Sequence, residues 1–131
     1  MRTRTALWIG VALLATVVPM LAHHSFAAEY DQNKTLTVKG TITKVEWLNP
    51  HIWFYVDVKD DKGNVSKWQC EGGAPNSLTR NGWTKNSLKQ GDSVTVDGYL
   101  AKDGKNTLNA RTIMLADGKR VFAGSSVDQE K

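Results

Sequence analysis

Apolar and polar residues alternate along residues 35–43, where Leu36, Val38 and Ile42 share one side and mainly threonine and lysine occupy the other. This period of two, carried by many β-branched residues, predicts a β-strand. At Thr43 the phase slips by one residue, and the apolar side then continues. A slip within one long strand predicts a β-bulge, and a long, bent first strand is typical of a small closed barrel.

A second alternation follows a corner at residues 49–51. Its inward face carries Ile52, Phe54, Val56 and Val58. The opposite face carries Trp53 and Tyr55, which is more aromatic surface than a solvated strand face needs. We therefore expect this second face to contact another part of the protein or a ligand.

The rest of the chain predicts three further strands and one short helix. Residues 65–71 alternate as a third strand, whose outward positions are Lys67, Gln69 and Glu71. Pro75 suits the first turn of a helix over residues 76–81, and residues 94–98 and 108–115 alternate as the fourth and fifth strands. This order predicts an all-β fold with one short helix, namely a small five-stranded OB-like barrel with the helix between strands 3 and 4. An open β-sandwich is the alternative, and the lone helix favours the barrel.

The amino terminus has the three parts of an export signal. Arg2 and Arg4 make a basic start, residues 6–18 form an apolar run, and Ala22 offers a small residue for cleavage. The run is shorter than the ~20 residues that span a bilayer, so a cleaved signal fits better than an anchor. Cleavage after Ala22 is favoured over cleavage after Ala27. The protein is therefore predicted to be periplasmic or secreted, without a stable transmembrane anchor.

The chain thus divides into four predicted parts. These are a signal peptide (1–22), an amino-terminal arm (23–34), an OB-like barrel domain (35–124) and a polar tail (125–131). Removal of two arginines with the signal lowers the formal net charge from +4 to +2. No long run of lysine or arginine occurs, so nucleic acid is not an expected partner.

Strand phase predicts that several large or soft side chains lie in the core. They are Trp47, Trp68, Trp83 and Cys70. Cys70 is the only cysteine of the chain, which excludes an internal disulfide. We therefore expect packing alone to stabilise the fold and Cys70 to be an inert core residue.

Four segments carry a recognisable pattern. They are His23-His24-Ser25-Phe26, Val45-Glu46-Trp47-Leu48-Asn49-Pro50-His51, Glu71-Gly72-Gly73-Ala74-Pro75-Asn76, and Gly91-Asp92 followed by Gly98-Tyr99. In this combination they resemble a bacterial family of small exported proteins, domain-of-unknown-function family 6152. The resemblance covers nearly the whole predicted mature chain, and it implies an exported small β-barrel that is cleaved just before the paired histidines. It implies no activity, because none is established for the family.

The three histidines of the chain could meet in one metal site. Cleavage after Ala22 would make His23 the first residue, and its free amine and Nδ1 can then chelate one ion. His24 adds a second imidazole, and His51 adds a third if the arm folds back onto the corner. Nitrogen-rich, planar coordination suits Cu(II), with Zn(II) and Ni(II) behind it. The simpler interpretation is a solvated chain start and a histidine that caps a turn.

Trp53 and Tyr55 form the second candidate site. In OB-type barrels the face of strands 2 and 3 commonly holds ligands, and flat aromatic rings there stack on sugar rings or bases. The outward residues of strand 3 would supply a polar border. The simpler interpretation is that the arm, with Phe26 and Tyr30, packs on these rings.

These patterns favour a non-enzymatic binding module that holds copper through His23, His24 and His51 or a ligand through Trp53 and Tyr55. The alternative is an accessory subunit that docks on an exported enzyme or envelope complex and has no ligand of its own. An oxidative copper enzyme is disfavoured, because the sequence contains no acid–base pair, nucleophile triad or sign of a substrate cleft. The expected partner is therefore a metal ion or a periplasmic protein.

Overall fold

The computed structural model describes residues 26–122 of the chain, apart from the side chain of Phe122. Its strands are β1 (Tyr30–Glu46), β2 (Trp53–Lys59), β3 (Val65–Glu71), β4 (Ser93–Ala101), β5 (Thr107–Leu115) and β6 (Arg120–Phe122), and its helix α1 (Pro75–Arg80) lies between β3 and β4. A helical turn over residues 26–29 precedes β1. Over this part of the chain, no helix is long and apolar enough to cross a membrane.

The strands form one sheet in the order β3-β2-β1-β4-β5-β6, and neighbours in this order are antiparallel. β3 also pairs with β5 in parallel, through residues 69–71 and 107–109. This pairing closes the first five strands into a ring, and β6 extends the sheet beyond β5. The predicted all-β, OB-like architecture, with a short helix between strands 3 and 4, is confirmed.

The long strand β1 contains the predicted irregularity. Its register against β2 shifts between Ile42 and Lys44, which confirms the bulge at Thr43. At Gly40 the two strands approach so closely that a Cβ atom would lie 2.0 Å from the carbonyl oxygen of Asp57. The bulge and this glycine allow β1 to pair with β4 along its first part and with β2 along its last.

β1 begins at Tyr30, inside the predicted arm of residues 23–34. Tyr30 pairs with Ala101 of β4, and the register then shifts before Thr35. The residues between these two pairings are polar and do not alternate, so the sequence pattern does not show a strand there. The buried ring of Tyr30 anchors this end of the strand instead.

The barrel interior holds one apolar cluster. It includes the predicted inward residues Ile52, Phe54 and Val56, which are fully buried. Trp83 is buried as predicted, whereas Trp47 and Trp68 are only partly buried and pack against the cluster. Cys70 is fully buried, and burial raises the pKa of its thiol to about 12. A thiol that stays protonated is a poor nucleophile and a poor metal ligand, which agrees with an inert core role.

Candidate functional site

The amino-terminal part of the described chain folds back onto the outer face of the barrel. There Phe26, Tyr30 and Tyr99 form a second buried cluster, which we call the arm cluster. Tyr99 points outward, because the adjacent Leu100 packs against the interior. The ring centroids of Phe26 and Tyr30 are 5.6 Å apart, and Phe26 meets Tyr99 edge-on at 5.5 Å. These contacts attach the chain around Phe26 to the barrel wall.

Glu71, the last residue of β3, is 7% exposed. Tyr30 Oη donates a hydrogen bond to Glu71 Oε2. His51 Nδ1 lies 2.5 Å from Glu71 Oε1, so each carboxylate oxygen has its own partner. The sequence predicts Glu71 as one of the outward residues of β3 that form a polar border. Its strand phase does point outward, but Tyr30 and His51 cover it.

Backbone hydrogen bonds hold the corner that carries His51 against the end of β3. Ile52 N donates to Gly73 O at 3.0 Å, and Gly72 N donates to Ile52 O at 2.9 Å. Both bonds lie next to Glu71 in the sequence. They place the backbone of residue 51 close enough for its imidazole to reach the carboxylate.

The Glu71 carboxylate affects the protonation of both partners. Its hydrogen bond raises the pKa of His51, and partial burial of the imidazole opposes this shift. Burial, together with the hydrogen bond to Glu71, raises the pKa of Tyr30 far above its ordinary value. The phenol therefore stays protonated and continues to donate. One buried carboxylate thus holds two donors that come from distant parts of the chain.

His51 keeps its second ring nitrogen available. The side chain is 41% exposed, and Nε2 has no hydrogen-bond partner among residues 26–122. When Nδ1 of a neutral imidazole donates to a carboxylate, Nε2 presents a lone pair. Histidines that bind metals usually have such a carboxylate behind the ring, which fixes its orientation and raises its basicity. The geometry therefore suits His51 Nε2 as a metal ligand.

A further polar side chain is buried beside this network. Asn109 of β5 is the register partner of both Glu71 and Tyr99, and it is 4% exposed. Its Oδ1 atom is buried and has no hydrogen-bond partner within the described part of the chain. An unpartnered buried acceptor costs about 1–3 kcal/mol and often marks the place of a water molecule or another polar group.

The paired histidines His23 and His24 lie outside the described residues. They precede Phe26, which the arm cluster attaches near Glu71. From Phe26 onward to residue 122, no three His, Cys, Asp or Glu side chains are grouped so that they could hold a metal ion. Of the three predicted metal ligands, the structure therefore describes His51 alone.

The two predicted ligand-binding aromatic residues have different surroundings. Trp53 lines a cavity of about 330 Å³, whose wall also includes Tyr30. Tyr55 does not line this cavity. Its hydroxyl donates to Glu46 at 3.3 Å, and Lys44 Nζ lies 5.5 Å from the centroid of its ring. Of the two rings, it is thus Trp53 that lines this cavity.

Sequence reasoning does not identify Glu71 and Tyr30 as site residues. Glu71 has the strand phase of an exposed residue, and Tyr30 lies in a polar segment without periodicity. One usable signal is the hairpin turn at residues 60–64. Counting outward from that turn places Glu71 opposite Trp53, next to the corner with His51, and the structure has this register. The contact of Tyr30 has no such signal, because it joins residues far apart in the sequence.

The barrel is similar to solved structures of low sequence identity. The mitochondrial single-stranded DNA binding protein Rim1 from S. cerevisiae is 12% identical, with a TM-score of 0.50 and with 63% of this chain and 93% of that chain covered. The structure of TiaS with an isoleucine tRNA and ATP is 23% identical, with a TM-score of 0.48, and the match covers 66% of this chain and 19% of that chain. At 12% identity, the similarity to Rim1 shows the fold alone.

No curated protein sequence matches this chain. A family model does match, and it covers residues 11–110, including the segments around His51 and Glu71. Its description is "Family of unknown function (DUF6152)". This match confirms the resemblance seen in the sequence segments. The chain therefore belongs to this family of unknown function.

Proposed function

We propose that this chain is an exported, non-enzymatic binding module that holds a Cu(II) ion between its amino terminus and His51. The observation that carries the proposal is the contact of His51 with the buried carboxylate of Glu71. Because Glu71 holds the Nδ1 side of the ring, Nε2 is presented on the opposite side for coordination. A histidine that only caps a turn needs no buried carboxylate behind it.

The proposed remaining ligands are His23 and His24. Cleavage of the signal after Ala22 creates a free amine on His23, which closes a chelate ring with its own imidazole Nδ1. His24 supplies a further imidazole. With His51 Nε2, the donors are all nitrogen, and among divalent first-row metals such sites bind Cu(II) most tightly. Zn(II) and Ni(II) are the next best candidates.

The arm cluster supports this arrangement because it restricts where the first residues can lie. Tyr30 binds Glu71, and Phe26 packs on Tyr30. A fully extended chain would place the Cα atoms of His24 and His23 at most roughly 7 and 11 Å from that of Phe26. The chain that must close to complete the site is therefore short, which lowers the entropic cost of bringing the ligands together.

The export signal and the proposed metal site depend on each other. The amine of His23 exists only after cleavage, so the chelate forms only in the exported protein. The proposal is non-enzymatic because the sequence offers no acid–base pair or nucleophile triad. The one thiol, Cys70, is buried in the barrel interior and cannot take part.

The test compares four forms of the mature protein. They are the form that starts at His23, the same form with its amino group acetylated, the variant His51→Ala, and the double variant His51→Ala with Val65→His. Val65 is 50% exposed, so the double variant restores the number of imidazoles at an unrelated position. Cu(II) is titrated by calorimetry, and electron spin resonance reports the coordinating nitrogens. We expect the first form to bind one ion, and the other three to lose about tenfold or more in affinity.

Equal and weak binding by all four forms would overturn the proposal. It would favour the alternative in which the chain is an accessory subunit that docks on an exported enzyme or envelope complex. Mass spectrometry of the exported protein decides where the mature chain starts. We expect a start at His23, whereas a start at Ala28 would remove both histidines and exclude the site.

A further inference from the structure

A separate cavity of about 330 Å³ lies between the amino-terminal arm and the hairpin that joins β4 to β5. Trp53 of β2, Gln69 of β3 and Thr107 of β5 come together here. The cavity is at the lower end of the range for small-molecule sites, about 300–1,000 Å³. It is partly open to solvent, so a ligand could enter without movement of the barrel.

The wall formed by the barrel has free hydrogen-bonding capacity. Gln69 Nε2 donates to Thr107 Oγ1 at 2.8 Å, and these two residues are also register partners. Thr107 is 7% exposed, so its side chain is held in place. The contact leaves Gln69 Oε1 as an acceptor and the Thr107 hydroxyl proton as a donor. Trp53, half-buried beside them, adds a flat apolar surface.

The charges around the cavity cancel. Glu29 and Asp103 carry negative charge, and Lys102 and Lys105 carry positive charge. Lys102 Nζ already donates to the carbonyl oxygen of Ala27, so its position is tied to the arm. A phosphate-rich ligand needs a surplus of positive charge, which this cavity lacks. The balance favours a neutral ligand with many hydroxyl groups.

We propose that this cavity binds a neutral saccharide, with one sugar ring stacked on the indole of Trp53. Gln69 Oε1 accepts a hydrogen bond from one sugar hydroxyl group, and the Thr107 hydroxyl donates one to another. The carboxylate of Asp103 accepts a further hydrogen bond at the rim of the cavity. A flat aromatic surface beside fixed donors and acceptors matches the alternating apolar faces and polar edges of a pyranose ring. This site uses none of the proposed copper ligands, so it stands independently of the metal proposal.

The test uses the metal-free mature protein with nitrogen-15 labelling. Maltotriose, cellotriose and chitotriose are titrated separately, and the indole signals of the tryptophans are followed by NMR. We expect at least one of these probes to shift the indole signal of Trp53 in a saturable manner. In Trp53→Ala the affinity for that probe should fall by about tenfold or more, as expected for the loss of a stacking platform. Tyr55→Ala is the matched control, because Tyr55 lies on the same face of β2 but outside the cavity, and its affinity should change less than about twofold.

A second variant keeps the test valid if Trp53→Ala does not fold. Gln69→Ala removes one proposed hydrogen-bonding group, and we expect about a fivefold loss of affinity. Three results would overturn the proposal. The first is that none of the three saccharides shifts Trp53. The second is an equal loss in Trp53→Ala and Tyr55→Ala. The third is binding of a thymidine oligonucleotide at Trp53 without binding of any saccharide, which would assign the cavity to a different class of ligand.

Discussion

The barrel interior and the arm cluster are both buried, but they consist of different kinds of residue. The interior contains apolar side chains and one thiol, and Phe54 and Ile113 are among its fully buried members. The arm cluster consists of three aromatic rings, with Glu71 and Asn109 buried beside it. Contacts in the interior are non-directional, whereas the outer region depends on hydrogen bonds of fixed geometry. The buried polar side chains of Glu71 and Asn109 therefore lie on the outer face of the barrel.

This difference shows how a small barrel can acquire a buried carboxylate. A charge placed in the closed apolar interior would cost several kcal/mol in lost hydration. On the outer face, Tyr30 covers Glu71 from one side and His51 covers it from the other. The imidazole of His51 still reaches solvent, so the carboxylate is buried while its partner remains accessible. The arm thus changes the chemistry of the barrel surface, and its cluster is separate from that of the interior.

The largest effect is expected from a change in the interior. Phe54 is fully buried, and Phe54→Ala should lower the free energy of unfolding by about 3–5 kcal/mol, because it removes apolar contacts and leaves a cavity. Denaturant titration measures this change. The control Val65→Ala alters a residue that is 50% exposed, and it should cost no more than about 0.5 kcal/mol. Similar costs for both variants would show that the interior does not carry the stability of the barrel.

A smaller effect is expected from the carboxylate under the arm. Glu71→Ala leaves Tyr30 and His51 without their acceptor and should cost about 1–3 kcal/mol in unfolding free energy. Lys67→Ala, on the same strand face but exposed, should have almost no effect. The same denaturant titration compares the two variants. A Glu71→Ala protein as stable as Lys67→Ala would mean that the network contributes nothing to folding.

A still smaller effect is expected when a single hydrogen bond is removed. Tyr30→Phe keeps the ring contacts with Phe26 and Tyr99 but loses the donor to Glu71, so we expect a cost of about 1 kcal/mol. The control Tyr55→Phe removes a long, partly exposed contact of 3.3 Å to Glu46 and should be close to neutral. If Tyr55→Phe lowers the free energy of unfolding as much as Tyr30→Phe does, the contribution of the Tyr30–Glu71 hydrogen bond to stability does not depend on its burial.

The smallest effect is a dependence of stability on pH. Glu71 raises the pKa of His51 in the folded protein, so the folded state binds this proton more tightly than the unfolded chain. The resulting stabilisation is fully present below the unfolded pKa of about 6.5, and it is lost as the pH rises through the folded pKa. Because His51 is 41% exposed, solvent screening keeps the contribution small.

Denaturant titrations of the wild type and Glu71→Gln between about pH 5 and pH 9 measure this contribution. The stability difference between the two proteins should shrink as the pH rises. A difference that grows with pH would mean that His51 is held neutral in the folded protein, which would contradict the stabilisation of its protonated form by Glu71.

The interior could be predicted from the sequence because a period of two decides which side chains of a strand point inward. This rule places Ile52, Phe54 and Val56 correctly, and the phase slip at Thr43 locates the bulge. The same rule gives the direction in which Glu71 points, but not whether another segment packs over it. Strand phase says which face a residue occupies, whereas burial of that face depends on a segment that packs on it from elsewhere.

The cover over Glu71 comes from Tyr30, which lies 41 residues away in the sequence. Packing of Tyr30 on the barrel is expected from the sequence, but on Trp53 and Tyr55, whereas its ring packs with Phe26 and Tyr99. The polar segment after Tyr30 has no apolar period, so nothing local indicates its contact with Glu71. His51 was identified from the sequence through its residue type alone, and the carboxylate behind it came from the register of β2 against β3. The candidate site is therefore less predictable than the fold, because it depends on contacts between distant residues.

The most direct measurement concerns the position of the proton on His51. If Glu71 holds Nδ1 and leaves Nε2 free, the neutral imidazole must carry its proton on Nδ1. A long-range proton–nitrogen correlation spectrum of the metal-free protein, recorded above the pKa of His51, distinguishes the two ring nitrogens, and His51→Ala assigns the signals. We predict the Nδ1-protonated form in the wild type and a loss of this preference in Glu71→Ala. A neutral His51 that carries its proton on Nε2 in the wild type would contradict the site described here.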